Sequence, residues 1–128
     1  MKLLVDTNAF IWLNDAPDRI PQRIMAIIAD PNNELLFSLV SVWEMQIKIQ
    51  LGKLQLQDPL SEILLMQQSE NNLQMLPIQL DHIWALEDLP QHHRDPFDRL
   101  LIAQAQVEDI AVVTSDDVFD QYSVQRFW

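Results

Sequence analysis

Four stretches of this 128-residue chain place an acid beside an apolar run. Asp6 closes Lys2-Leu3-Leu4-Val5, and Glu44 lies inside the apolar segment from Val40 to Leu51. Asp98 follows Asp95-Pro96-Phe97, and Asp116 ends Val112-Val113-Thr114-Ser115. Acids from separate parts of a chain, at strand ends and helix starts, can converge on one pocket. Two carboxylates about 4 Å apart repel by up to roughly 4 kcal/mol at an effective dielectric of about 20. Such a cluster must take up protons, spread apart or bind a cation. Oxygen donors without any cysteine suit Mg2+ or Mn2+ better than Zn2+. Mg2+ held by a few carboxylates keeps several waters, one of which can become the nucleophile in phosphodiester hydrolysis.

Each acid also has a plainer reading. Asp6 stands where a buried strand should end, the edge at which parallel sheets bind ligands, but it also suits the N-cap of the next helix. Glu44 shares a helix face with Lys48, four residues on, and the two could be an ordinary surface pair. Against that, Val42, Met45 and Ile49 flank Glu44 on one side, with Trp43, Ile47 and Leu51 on the other. Gln46 and Gln50 occupy the opposite, solvent-facing side. Asp95 before Pro96 fits an N-cap followed by the first helical position. Asp98 shares a stripe with Leu101, Ile102 and Ala105, where an unpaired carboxylate is costly; alternatively it completes a capping box. Asp116 and Asp117 can cap the turn from Val118 to Gln121, and either can be the fourth site acid.

The elements that must position these acids alternate between strand and helix. Strands are expected near residues 2–5, 35–38, 74–78, 111–114 and 124–127. Helices are expected near 8–14, 22–29, 40–51, 59–72, 81–88 and 95–108, with Gly52 as a natural stop. That alternation predicts an α/β fold, a three-layer α/β/α sandwich around a central, mostly parallel sheet. Residues 1–128 are expected to form one domain, long enough for a real core.

Composition narrows the function. Eight Lys+Arg against nineteen Asp+Glu give a net charge of −11, which excludes a passive nucleic-acid binder, since phosphate contacts need cations. Nucleic acid remains a substrate where a divalent metal screens the site, and a basic partner suits the charge. The single glycine argues against a glycine-rich phosphate loop. No apolar stretch approaches the roughly 20 residues of a membrane span. The N-terminus lacks a signal-peptide pattern, so a cytoplasmic location is expected.

Taken in order, Leu3-Leu4-Val5-Asp6-Thr7-Asn8, Ser41-Val42-Trp43-Glu44-Met45-Gln46-Ile47-Lys48 with Leu51-Gly52-Lys53, and His93-Arg94-Asp95-Pro96-Phe97-Asp98-Arg99-Leu100-Leu101-Ile102-Ala103-Gln104-Ala105 resemble the PIN-domain nucleases, in particular the VapC-like toxins of bacterial toxin–antitoxin pairs. Val113-Thr114-Ser115-Asp116, Phe119 and Phe127-Trp128 fit the same pattern. The resemblance implies a Mg2+- or Mn2+-dependent endoribonuclease, with a cognate antitoxin protein as partner and RNA as substrate; a homodimer is the expected assembly. It maps the four acids of the family onto Asp6, Glu44, Asp98 and Asp116, and accessory polar positions onto Asn8 and Thr114. Asp95 and Asp117 are accessory candidates, and Lys48, Lys53, Arg94 and Arg99 are candidates for RNA phosphates. His92 and His93 are expected in a loop outside the metal site. Apolar residues of the first helices, among them Phe10, Trp12, Ile24 and Ile28, are expected to present a groove to the antitoxin.

Three rivals share the fold class. A haloacid-dehalogenase-type phosphatase needs a second Asp two residues after the first, where this chain has Asn8. A phospho-receiver domain wants paired acids near the first strand and a Lys after a late one, where Thr114 is followed by Ser115. A catalytically silent PIN-like scaffold would not keep four acids.

Overall fold

The computed structural model describes residues 1–128. Its central strands are apolar on both faces because helices cover both, the condition that parallel sheets impose. Strand β1 (Lys2–Val5) pairs with β2 (Glu34–Ser38) on one side and β4 (Ala111–Val113) on the other; β3 (Gln74–Leu76) and β5 (Arg126–Phe127) are the edges. Every pairing is parallel, in the order β3-β2-β1-β4-β5. Alternate residues point to opposite faces. Leu3, Val5, Phe37 and Val113 enter one core with Phe10, Ile24 and Met45. Leu4, Leu36 and Val112 enter the other with Leu101, Ile102 and Phe119. The expected α/β sandwich is therefore the observed one.

Six helices connect the strands: α1 (Thr7–Asp15), α2 (Gln22–Ala29), α3 (Leu39–Gln50), α4 (Leu60–Asn71), α5 (Leu80–Trp84) and α6 (Pro96–Glu108). The segment expected as one helix over 81–88 divides into α5 and a 3-10 turn, Ala85–Asp88. The third strand stops at Leu76, because Pro77 has no N–H to continue a ladder. No helix is long and apolar enough to cross a membrane.

Two features of this scaffold set the site. After β1 the chain runs outward to β3, then returns to the far side of β1 as β4, so the strand order reverses between β1 and β4. A crevice opens at such a point beyond the carboxyl ends of the strands. Because Val5 lies level with both Phe37 and Val113, the residues that follow, Asp6, Ser38 and Thr114, share that edge. The second feature is a buried polar chain tying α3 to α6. Ser38 caps α3 by accepting from the Val40 N–H at 3.0 Å and donates to Gln104 Oε1 at 2.6 Å. Gln104 in turn donates to the Pro77 carbonyl at 3.2 Å. Both side chains are fully buried. This chain fixes α3, the carrier of Glu44, against α6, the carrier of Asp98.

Replacing Gln104 by Leu leaves the Ser38 O–H without an acceptor and the Pro77 carbonyl without its donor. We expect Gln104→Leu to destabilise the fold by about 2 kcal/mol in urea unfolding. Adding Ser38→Ala should cost less than the sum of the two single changes, since both break one bond.

Candidate metal centre

Asp6 follows the last residue of β1 and is the N-cap of α1. Its Oδ1 accepts from the Ala9 N–H at 2.8 Å, the capping bond, while Oδ2 accepts from Thr114 Oγ1 at 2.6 Å. One side chain thus caps α1 and is tied to the end of β4. Thr114 Oγ1 also accepts from the Asp116 N–H at 3.0 Å, so one hydroxyl joins the ends of β1 and β4.

Glu44 is buried, with 5% exposure. Its Oε1 accepts from Thr7 Oγ1 at 2.7 Å and its Oε2 meets Lys48 Nζ at 2.8 Å. The i,i+4 pair with Lys48 exists, but its acid faces inward. Sequence reasoning took Asn8 as the accessory residue here. Asn8 is exposed, and the hydroxyl that reaches the acids is that of Thr7. Thr7 lies in the first turn of α1, and a buried hydroxyl directly after the strand-end acid was the available signal.

Asp95 caps α6, with Oδ1 accepting from the N–H groups of Phe97 at 2.8 Å and Asp98 at 3.2 Å. Asp98 does not close a capping box. The Asp95 N–H that a box would use goes to His93 Nδ1 at 3.2 Å, and His93 Nε2 lies 3.1 Å from Asp98 Oδ2 and 2.7 Å from Asp116 Oδ2. His93 does sit in a loop, as expected, but the loop places its ring among the acids. The ligand-type atoms of His93, Asp98 and Asp116 all fall within 4.8 Å of one another. His92 instead packs edge-on against Tyr122. Asp116 is half-buried and caps the 3-10 turn Asp117–Gln121 with its Oδ1, whereas Asp117 is exposed. Asp116 is therefore the acid nearer the cluster.

Electrostatics follow from that crowding. Burial pushes Asp6 up to about 6; the bonds from Thr114 and the Ala9 N–H pull it down, and Glu44 and Asp116 push it further up. Burial also raises Asp98, to about 7, with Asp95, Asp6 and Glu44 adding to the rise and His93 opposing it. These residues fit a hard divalent cation: they are oxygen donors from α3, α6 and the ends of β1 and β4, placed where their charges oppose one another. The one buried side-chain polar atom without a partner, Ser41 Oγ, lies one turn before Glu44 on α3, on the same stripe of the helix.

Among the expected phosphate contacts, Lys53 and Arg94 are exposed. Lys48 is engaged by Glu44, and Arg99 donates to the carbonyls of Leu89, Pro90 and His93. The apolar groove expected from the first helices needs correction. Phe10 and Ile24 are core residues, 1% and 2% exposed. Trp12 is half-buried between Trp128 and Arg19, and Ile28 lines a cavity of about 760 Å³ with Leu13 and Met25. Reading half-helices as surface failed because both faces of the sheet demand apolar cover.

A family model described as the PIN domain matches residues 3–125. Comparison with curated proteins gives no match. Among solved structures, the chain is similar to VapBC2 from Rickettsia felis bound to a promoter DNA fragment, with TM-score 0.76 and 16% identity over 99% of this chain and 98% of that one. VapBC-1 from nontypeable Haemophilus influenzae gives 0.71 and 18%, covering 99% and 97%. FitAcB from Neisseria gonorrhoeae gives 0.65 and 18%, covering 98% and 96%. At these identities the likeness to the solved structures is one of fold.

The raised acids give a signed pH dependence. A carboxyl at about 6 in the fold, against 3.8 for the free group, makes the folded state bind more protons across that interval. Stability is then fully present below about pH 4 and falls as pH rises toward 6. In metal-free protein we expect wild type to lose on the order of 3 kcal/mol relative to Asp6→Asn over that window. Urea unfolding of both proteins at each pH measures the gap; parallel curves would mean that Asp6 is not raised.

Proposed function

The chain belongs to the PIN-domain family, and from that premise we propose that it is a divalent-metal-dependent endoribonuclease acting as the toxin of a toxin–antitoxin pair. The observation that carries this reading is the gathering of Asp6, Glu44, Asp98 and Asp116 beyond β1 and β4, with Asp6 and Asp98 held above the ordinary carboxylate range. These four are the residues assigned to hold Mg2+ or Mn2+. When bound, such a cation offsets charge building on the phosphoryl group and makes water more acidic.

The chain's own residues do the rest. Thr114 holds one oxygen of Asp6 and Thr7 one oxygen of Glu44, so both acids are oriented before any ligand arrives. Lys48 balances the second oxygen of Glu44. Lys53 and Arg94, exposed near the ends of α3 and α6, are the side chains offered to RNA phosphates. A cognate antitoxin is the proposed partner; a further solved structure of similar fold, from Klebsiella pneumoniae with TM-score 0.55 and 18% identity, is described as a toxin-antitoxin complex. A basic segment with apolar anchors suits the charge of −11 and the cavity beside Leu13, Met25 and Ile28. A homodimer in a cytoplasmic setting completes the proposal.

Three outcomes test it. Asp98→Asn should lower Mg2+-dependent RNA cleavage more than about a hundredfold while the fold persists, since a ligand should matter more than its supporting neighbours. Asp95→Asn should cost little, because Asn caps as well as Asp; equal losses in the two folded variants would overturn the division of roles. Metal at one hundred times its dissociation constant should raise unfolding stability by about 2.7 kcal/mol, and indifference of the melting temperature to millimolar Mg2+ and Mn2+ would remove the metal. Ile28→Glu should weaken antitoxin binding at least tenfold in calorimetry with Mn2+ affinity unchanged, and undiminished binding would place the partner elsewhere.

A further inference from the structure

His93 stands among the proposed metal ligands, yet its two ring nitrogens face opposite kinds of group. Nδ1 lies 3.2 Å from the backbone nitrogen of Asp95, whose N–H points at it. That nitrogen can only accept, so the ring proton sits on Nε2. Nε2 is the atom that meets Asp116 Oδ2 at 2.7 Å and Asp98 Oδ2 at 3.1 Å. A histidine that binds metal through one nitrogen normally donates the other N–H to a carbonyl or carboxylate. Here the second nitrogen is already committed as an acceptor, and ligation through Nε2 would set two N–H groups against each other.

The backbone that carries the ring is held as closely. The Tyr122 hydroxyl accepts from the N–H groups of His92 at 3.0 Å and His93 at 2.7 Å, and donates to the Pro90 carbonyl at 2.8 Å. From the other side, Arg99 donates to Leu89, Pro90 and His93 carbonyls. Two side chains thus satisfy most of the polar backbone of the loop from Leu89 to His93, in a segment with no helix or strand of its own. The His93 ring is 15% exposed and packs edge-on against Phe119, which limits its rotation.

We infer that His93 is a positioning residue, an N–H donor that orients the Asp98 and Asp116 carboxylates, and that Tyr122 and Arg99 act through it by seating its loop. This rests on the proposed nuclease site, but it assigns residues which that reading leaves idle. The donor role has consequences that a ligand role does not. A group acting through two carboxylates affects every hard cation alike, whereas an imidazole ligand favours Mn2+ over Mg2+.

His93→Leu should lower kcat for RNA cleavage by about tenfold to a hundredfold with KM little changed. His93→Gln, which returns an N–H donor at similar reach, should recover most of it. Tyr122→Phe removes the hydroxyl and keeps the ring; it should lower kcat about tenfold in the wild type and add little to His93→Leu. Independently of activity, calorimetry should show His93→Leu weakening Mn2+ and Mg2+ by the same factor. Electron spin-echo spectra of the Mn2+-loaded protein, labelled with 15N-histidine, should show no histidine nitrogen coupled to the ion.

Selective loss of Mn2+ affinity with a coupled histidine nitrogen would make His93 a ligand and overturn the inference. So would a His93→Leu protein with unchanged kcat and unchanged affinity for both metals, which would make His93 a bystander. Absence of any divalent binding by the wild type would instead remove the proposed function on which the inference stands. Metal binding without RNA cleavage would leave the calorimetric and spectroscopic arms to decide.

Discussion

The constraint on which the rest of the structure depends is negative charge gathered in a place that water reaches poorly. A parallel sheet whose strand order reverses beside β1 leaves a crevice at the carboxyl ends of β1 and β4. Asp6 stands on that edge by register, and the helices that follow β2 and precede β4 bring Glu44 and Asp98 to it. Removing solvent from carboxylates disfavours their charged forms, and each neighbour of like charge adds to the effect. The fold therefore holds this cluster at a loss of stability, and the core on either face of the sheet must offset it. Sites of this kind are where a protein gives up stability for chemistry.

What limits that loss is a set of short, uncharged donors. Thr114, Thr7 and the Ala9 N–H each give a hydrogen bond to an acid, and hydrogen bonds to the charged form favour it. They also fix which lone pairs remain open. The buried chain from Ser38 through Gln104 to the Pro77 carbonyl does for the helices what the hydroxyls do for the acids. It leaves α3 and α6 little freedom to separate under the repulsion between Glu44 and Asp98. Tertiary hydrogen bonds between neutral groups thus resist an electrostatic strain that they do not themselves touch.

Much of this was legible in the sequence, for reasons that particular residues make plain. Short apolar runs such as Leu3-Leu4-Val5 and Ala111-Val112-Val113 could only be strands covered on both faces, and that fixed the sandwich. Asp95-Pro96 announced its helix by capping chemistry alone. Asp6, Glu44 and Asp98 stood out because each broke an apolar pattern. His93 is expected outside the metal site, since a loop residue breaks no pattern; its place depends on Tyr122, 29 residues away, accepting from the loop's N–H groups. Asn8 rests on the family resemblance alone, whereas the burial of Thr7 is set by the packing of α1 on the sheet. Phe10 and Ile24 were misjudged as surface because a helix packed on a sheet buries a stripe whose angle only the sheet defines.

The fate of the eight cations decides how a polyanion can approach so acidic a chain. Lys48 is held by Glu44, Arg126 by Asp120, and Arg99 by loop carbonyls. Arg23 reaches the Trp128 carbonyl, and Arg19 lies over the Trp12 ring. Lys2 starts β1, at the end of the sheet opposite the acids. Lys53 and Arg94 are the exposed cations that remain. Two cations release few counterions, so affinity for RNA on the proposed function would depend only weakly on salt. Long-range steering would repel the substrate, not draw it in. Binding must then be short-ranged and must follow neutralisation of the acids, which couples substrate affinity to whatever cation the cluster holds. The same field would attract a basic segment of a partner, so the charge that repels RNA at long range would favour an inhibitor.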